Sequence, residues 1–176
     1  MSTQKAAPHA TVFEGQTLDP LEVLYRRDLA RFVGLAQWVV GSRVLAEELV
    51  QETFARVVER SPSIDDPSDL GAYVRSALMN VCRSKLRRLT LERRHAKPGP
   101  LSMVDVPPDQ EVRDALLALP VRQRQCLALR FYEDQTVPEI ARTLGITAGS
   151  VKTHVHRGLK SLEVAIGDTS MIEEKP

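Results

Sequence analysis

The stretch from Thr136 to Lys160 constrains this fold most, because within it the start, the stop and the buried face of two helices are written in consecutive residues. Thr136 followed three positions on by Glu139 is a capping-box pattern, in which hydroxyl and carboxylate each satisfy a backbone donor at a helix start. Pro138 is tolerated in that first turn because its amides lack intrahelical partners, and Ile140, Ala141 and Leu144 supply one apolar face. Gly145 lies just past the last apolar position and predicts a left-handed stop, with Ile146 placed to pack back and Thr147 placed to cap the next helix. In that next helix Val151, Val155, Leu159 and Leu162 recur at spacings of four, four and three, which is one buried stripe.

The opposite face is left to Ser150, Lys152, Thr153, His156, Arg157 and Lys160. From Arg142 to Leu162 the chain has four Lys/Arg and no Asp or Glu, so this face meets a polyanion without opposing charge. Two helices across a glycine turn, the second with a basic face, are how a helix is presented to the major groove of DNA. His154 and His156 are not a metal pair, because positions two apart on a helix point to different sides.

The rest of the chain reads as further helices. Residues 1–18 lack sustained periodicity and predict a disordered leader. Asp19-Pro20 opens a helix whose apolar positions run from Leu21 and Leu24 through Tyr25, Leu29, Phe32, Leu35 and Ala36 towards Val40, and Gly41 ends it. Ser42 is placed to cap a second helix with Leu45, Leu49, Phe54, Val57 and Val58 inward and Glu48, Gln51, Glu52 and Arg56 outward. After a turn-rich connection, Asp66-Pro67-Ser68-Asp69 opens a third, with Tyr73, Ala77, Val81 and Leu86 inward and Arg75, Asn80, Arg83, Lys85, Arg87 and Arg88 outward. Five prolines and glycines between Pro98 and Pro108 have the composition of a flexible linker. Beyond it, Val112, Leu116, Leu117 and Leu119 mark one helix, and Pro120 restarts another bearing Cys126, Leu127, Leu129 and Phe131. With no alternating strand pattern, no internal repeat and no glycine-rich phosphate loop, the fold class is all-α: two small helical domains joined by a flexible linker, the second containing the helix-turn-helix. The boundaries are 1–18, 19–94, 95–108, 109–166 and an acidic tail at 167–176.

Net charge over the 176 residues is only +1, but its distribution is uneven. Ala72 to Lys97 holds eight Lys/Arg against the single Glu92, whereas Glu14 to Asp69 holds eleven Asp/Glu against six Arg. One surface therefore suits a polyanion and another a protein partner. Cys82 and Cys126 lack CxxC or histidine spacing, so neither a zinc site nor a disulfide framework is indicated, and no cofactor is expected. No stretch approaches the roughly twenty apolar residues of a membrane span, which predicts a cytoplasmic protein. Glu47, Glu48 and Glu52 have no histidine, lysine or glycine-rich loop in a catalytic arrangement beside them, so an enzyme is not expected.

The motifs Ala46-Glu-Glu-Leu-Val-Gln-Glu-Thr-Phe-Ala-Arg-Val57, Ala72-Tyr-Val-Arg-Ser-Ala-Leu-Met-Asn-Val-Cys-Arg-Ser-Lys-Leu-Arg-Arg88 and Leu119-Pro-Val-Arg-Gln-Arg-Gln-Cys-Leu-Ala-Leu-Arg-Phe-Tyr132, in this order, resemble the extracytoplasmic-function (ECF) subfamily of the sigma-70 family of bacterial RNA polymerase sigma factors. The resemblance covers Asp19 to Ile166. It implies that the first domain docks on core polymerase through Glu48, Gln51 and Glu52, and binds and separates the downstream (minus 10) element through Asn80, Arg83, Lys85, Arg87 and Arg88. The connection from Ser61 to Asp69 resembles the loop that captures an extruded base. The second domain would read the upstream (minus 35) element through Lys152, Thr153, His156 and Arg157, with Ser150 and Lys160 nearer the backbone. Regulation by an anti-sigma partner is a further implication. The chain departs from the family pattern at Ser84, where many members carry aspartate, and at Tyr73, where many carry tryptophan. Ser150-Val-Lys-Thr-His-Val155 also resembles the recognition helix of LuxR-type regulators, an alternative that needs a receiver or sensor domain upstream.

Overall fold

The computed structural model describes residues 12–13, 16–17, 19–60, 70–95 and 110–167. Most of the expected leader and linker, the connection at 61–69 and residues 168–176 lie outside these. Two short strands, β1 (Val12–Phe13) and β2 (Gln16–Thr17), pair antiparallel. All other described elements are helical, as the all-α reading expects.

Three helices make the first unit: α1 (Pro20–Val40), α2 (Arg43–Arg60) and α3 (Leu70–His95). Their ends follow the local chemistry. The Asp19 carboxylate accepts the Leu21 amide at 3.2 Å with Pro20 in the first turn, Gly41 ends α1 at φ 77°, and the Ser42 hydroxyl accepts the Leu45 amide at 3.3 Å. Leu35, Ala36, Val39, Leu49, Val50, Val74 and Leu78 are fully buried between the helices, and Phe54 meets Tyr25 and Phe32 edge to face at 4.9 and 5.7 Å.

Two inward assignments are corrected, and one apolar residue of the second unit is exposed. Val58 is 58% exposed, because Val57 takes the inward direction of the last turn of α2 and its neighbour points about 100° away. Tyr73 is 37% exposed, since the stripe of α3 facing α1 and α2 is Leu70, Val74, Leu78, Val81 and Cys82. Phe131 is exposed because helix α5 (Val121–Leu127) runs on into a π-helical turn, Ala128–Tyr132, whose wider winding rotates the following side chains out of register.

The second unit comprises α4 (Gln110–Ala118), α5 with its π-turn, α6 (Val137–Leu144) and α7 (Ala148–Ile166). Leu116, Leu119, Leu127 and Leu162 form its own small core. Gly158 lets α7 approach α5 closely, for a Cβ there would stand 3.0 Å from a Leu127 methyl.

The two units pack directly on one another. Cys126, Ala128, Leu129, Ile140, Leu144 and Val151 belong to the same apolar cluster as the core of the first unit. Polar contacts line this seam. Helix α1 has no basic residue in its own last turn, and the second unit supplies the missing cations: the Arg124 guanidinium donates to Val39 O at 2.7 Å and Arg113 to Gly41 O at 2.6 Å. A cation at a helix C-terminus satisfies orphan carbonyls and the negative end of the dipole together. Burial pushes the Arg124 pKa down, yet its guanidinium keeps this carbonyl partner. Gln125 donates to Met79 O at 2.6 Å, and Ser76 to Thr143 O at 2.8 Å. Tyr132 lies over Gly34 and beside Trp38, with ring centroids 6.3 Å apart.

Candidate nucleic-acid interface

Helices α6 and α7 are set by the caps that their residues predict. The Glu139 carboxylate accepts both the Thr136 amide, at 2.7 Å, and its hydroxyl, at 2.6 Å, and these bonds hold the Glu139 pKa below its ordinary value. Gly145 takes φ 63°, its amide reaches Arg142 O, and Ile146 reaches back to Ala141 O, a Schellman closure. The Thr147 hydroxyl then accepts the Ser150 amide at 3.1 Å and starts α7. Only Ile146 and Thr147 stand between the left-handed Gly145 and α7, so the angle between the helices is fixed by backbone hydrogen bonds.

Along α7, Val151, Gly158 and Leu162 are buried, and Lys152, Thr153, His156, Arg157 and Lys160 are exposed. Ser150 is half-buried, its hydroxyl 2.9 Å from that of Thr147 at the helix start. These six residues share the first three turns or so of one helix, with both guanidinium and ammonium groups free to reach a groove floor or its phosphate walls. His154 is half-buried and His156 exposed, and no group of metal-binding side chains occurs among the described residues.

The face expected to open DNA lies on the first unit, and the structure divides it. Asn80 and Arg87 are exposed on α3. Lys85 is largely covered and donates to Glu48 at 2.9 Å, which ties one expected phosphate contact to one expected polymerase contact. Arg88 is 3.4 Å from Glu92, an exposed pair worth about 0.3–0.5 kcal/mol and easily exchanged for a phosphate. Arg83 is exposed near the seam, close enough to Arg122 to lower that guanidinium's pKa after burial has done most of it. Between α2 and α3 runs a groove of about 500 Å³ bordered by Arg56, Glu59, Tyr73, Asn80 and Ser84. Tyr73, assigned inward from its sequence position, is thus an aromatic face beside Asn80. A local signal for it existed: it stands one position before the stripe Val74, Leu78, Val81.

Glu48, Gln51 and Glu52 share the outward face of α2, the first two exposed and Glu52 paired with Arg56. Sequence reasoning missed Arg31, Arg113, Arg124, Gln125 and Glu133, which join the two units. Arg124 and Gln125 carried a faint signal, since both fall inside an otherwise apolar helix. Glu133 carried none. The connection at 61–69 lies outside the described residues.

Residues 24–92 match the family described as Sigma-70 region 2, and residues 109–162 match Sigma-70, region 4. Over 132 residues the chain is 33% identical to an RNA polymerase sigma-E factor of Streptomyces coelicolor, an alignment covering 72% of this chain and 75% of that one. It is 23% identical to the ECF RNA polymerase sigma factor SigW of Bacillus subtilis over 74% of this chain and 80% of the other. The fold resembles that of the sigma factor RpoE from Bartonella quintana, solved in complex with the anti-sigma factor NepR, with a TM-score of 0.68 at 21% identity, covering 83% of this chain and 98% of that one.

Proposed function

The chain belongs to the extracytoplasmic-function subfamily of the sigma-70 family, and we infer from that membership that it directs core RNA polymerase to specific promoters and initiates transcription there. The observation that carries this reading is the succession of region 2 and region 4 along one chain, with the cationic face of α7 exposed. A sigma factor performs no bond chemistry; it positions the polymerase and stabilises opened DNA. The LuxR-type alternative needs a receiver or sensor upstream, and residues 24–92 match region 2 instead.

Each exposed face supports a role. On α7, Arg157 and Lys152 have the donors to address guanine edges in the major groove, with Thr153 and His156 between them and Ser150 and Lys160 at the flanking phosphates. On α3, Asn80, Arg83, Arg87 and Arg88 face outward for the downstream element, and Tyr73 offers a platform on which an unpaired base stacks. Lys85 joins that set when Glu48 turns to the polymerase. Glu48, Gln51 and Glu52 are the docking face for core enzyme. The protein acts in the cytoplasm, where polymerase and promoter lie, and an anti-sigma partner is its expected regulator.

In vitro transcription with bacterial core enzyme and a promoter library tests the reading. Wild type is expected to select start sites, Gln51→Ala to lose core engagement, and Arg157→Ala to keep core engagement while losing preference at the upstream element. Start-site selection unchanged by adding the wild-type chain rejects it.

A further inference from the structure

Glu133 is the least expected charged residue in the fold. Its side chain is 1% exposed, and each carboxylate oxygen is taken by a guanidinium of the other unit: Oε1 accepts from Arg31 Nε at 2.7 Å and Oε2 from Arg75 Nε at 2.8 Å. The backbone is shaped for this. The π-helical turn ends with the Glu133 amide on Ala128 O, and Asp134 follows at φ 53°, so the chain reverses immediately after the carboxylate has been aimed at α1 and α3.

We propose that Arg31 and Arg75 are a phosphate-binding pair of the first unit, which Glu133 occupies in the closed arrangement and which DNA occupies when the two units separate. The proposal rests on the promoter-binding role given above. Guanidinium groups complement carboxylate and phosphate oxygens alike, so the acid that seats here is a stand-in for a nucleic-acid phosphate. The charges around the pair support the exchange. The acids facing it from the second unit, Glu133 and the more distant Glu139, leave with that unit, and Asp28 on α1 is already held by Arg27 at 2.8 and 3.1 Å. Arg75 also begins the run in which Ala72 to Lys97 carries eight cations and one acid. Closure and DNA binding thus compete for the same two side chains.

The full-length chain tests this with two readouts: energy transfer between dyes on cysteines introduced at exposed Ala55 and Ala165, and anisotropy of a fluorescein-labelled oligothymidylate. Glu133→Gln is expected to reduce energy transfer and to tighten oligothymidylate binding by about five- to tenfold, beyond the charge-matched control Glu22→Gln. Gly34→Ala, which unseats Tyr132 while keeping all three charged residues, is expected to do the same and covers the case in which Glu133→Gln does not fold. Adding Arg75→Ala to either variant is expected to abolish the gain and to flatten the salt dependence, by about 0.7 in log–log slope for each single-strand phosphate no longer neutralised; Arg26→Ala is the control. Opening without tighter binding overturns the proposal, and so does a gain that survives Arg75→Ala, since Glu133 is then a latch alone. Promoter-specific transcription by wild type separates the two failures: its absence rejects the sigma-factor role, whereas its presence with unaltered binding by the opened variants rejects the phosphate pair only.

Discussion

Burial pushes the Cys82 thiol up to about 12 and the Cys126 thiol to about 11, so neither forms appreciable thiolate in the folded chain near neutral pH. Dithionitrobenzoate is expected to find no fast-reacting thiol in the native protein and two after denaturation; rapid native labelling would contradict their placement. Glu139 gives a second test. Its folded pKa is depressed by the Thr136 hydroxyl and amide, so its contribution is present above the ordinary value of 4.5 and is lost as pH falls through the folded value. The thermal-midpoint difference between wild type and Glu139→Gln is therefore expected near neutral pH and to shrink steadily on acidification below pH 4.5. On the proposed DNA face, Arg157→Ala is expected to cost about 1–3 kcal/mol of discrimination at one base position. Lys160→Ala should weaken all sequences alike and flatten the salt slope by about 0.9. Footprinting across substituted promoters distinguishes these outcomes.

Among the elements, α6 and α7 are the most self-contained. Their caps, glycine stop and apolar stripe are all local, which is why the sequence reading and the structure agree there so closely. Gly145→Ala meets no neighbouring atom within 4 Å, so its whole effect is the left-handed backbone at φ 63°, a cost of about 1–2 kcal/mol to be read as a lowered urea midpoint. Helix α3 behaves differently. One stripe faces α1 and α2 while Arg75, Ser76 and Met79 face the second unit, so it is buried on two sides. A single-stripe reading of its periodicity places Tyr73 inward and Arg75 outward, and the structure reverses both for that reason. The π-turn after α5 is likewise invisible to a 3.6-residue period, and it is what exposes Phe131 and buries Glu133.

For the molecule as a whole, the seam between the units decides which faces are open. Gly34 lies in an ordinary helix, yet a Cβ there would stand 2.0 Å from the Tyr132 hydroxyl, so Gly34→Ala is expected to leave α1 intact and raise the radius of gyration in solution scattering. An unchanged radius would show that the seam does not depend on Tyr132. The family, the two helical units, the basic face of α7 and the outward face of α2 were determined by sequence alone, because caps, glycine stops and apolar periods act between residues a few positions apart. Tertiary structure alone decided that the units close on each other, that Arg113 and Arg124 cap α1, and that Glu133 holds Arg31 and Arg75. Those partners are 58 to 102 positions apart, from Arg75–Glu133 to Arg31–Glu133. Nothing in a helical period reports a contact at that separation; it follows only from how the two apolar faces pack.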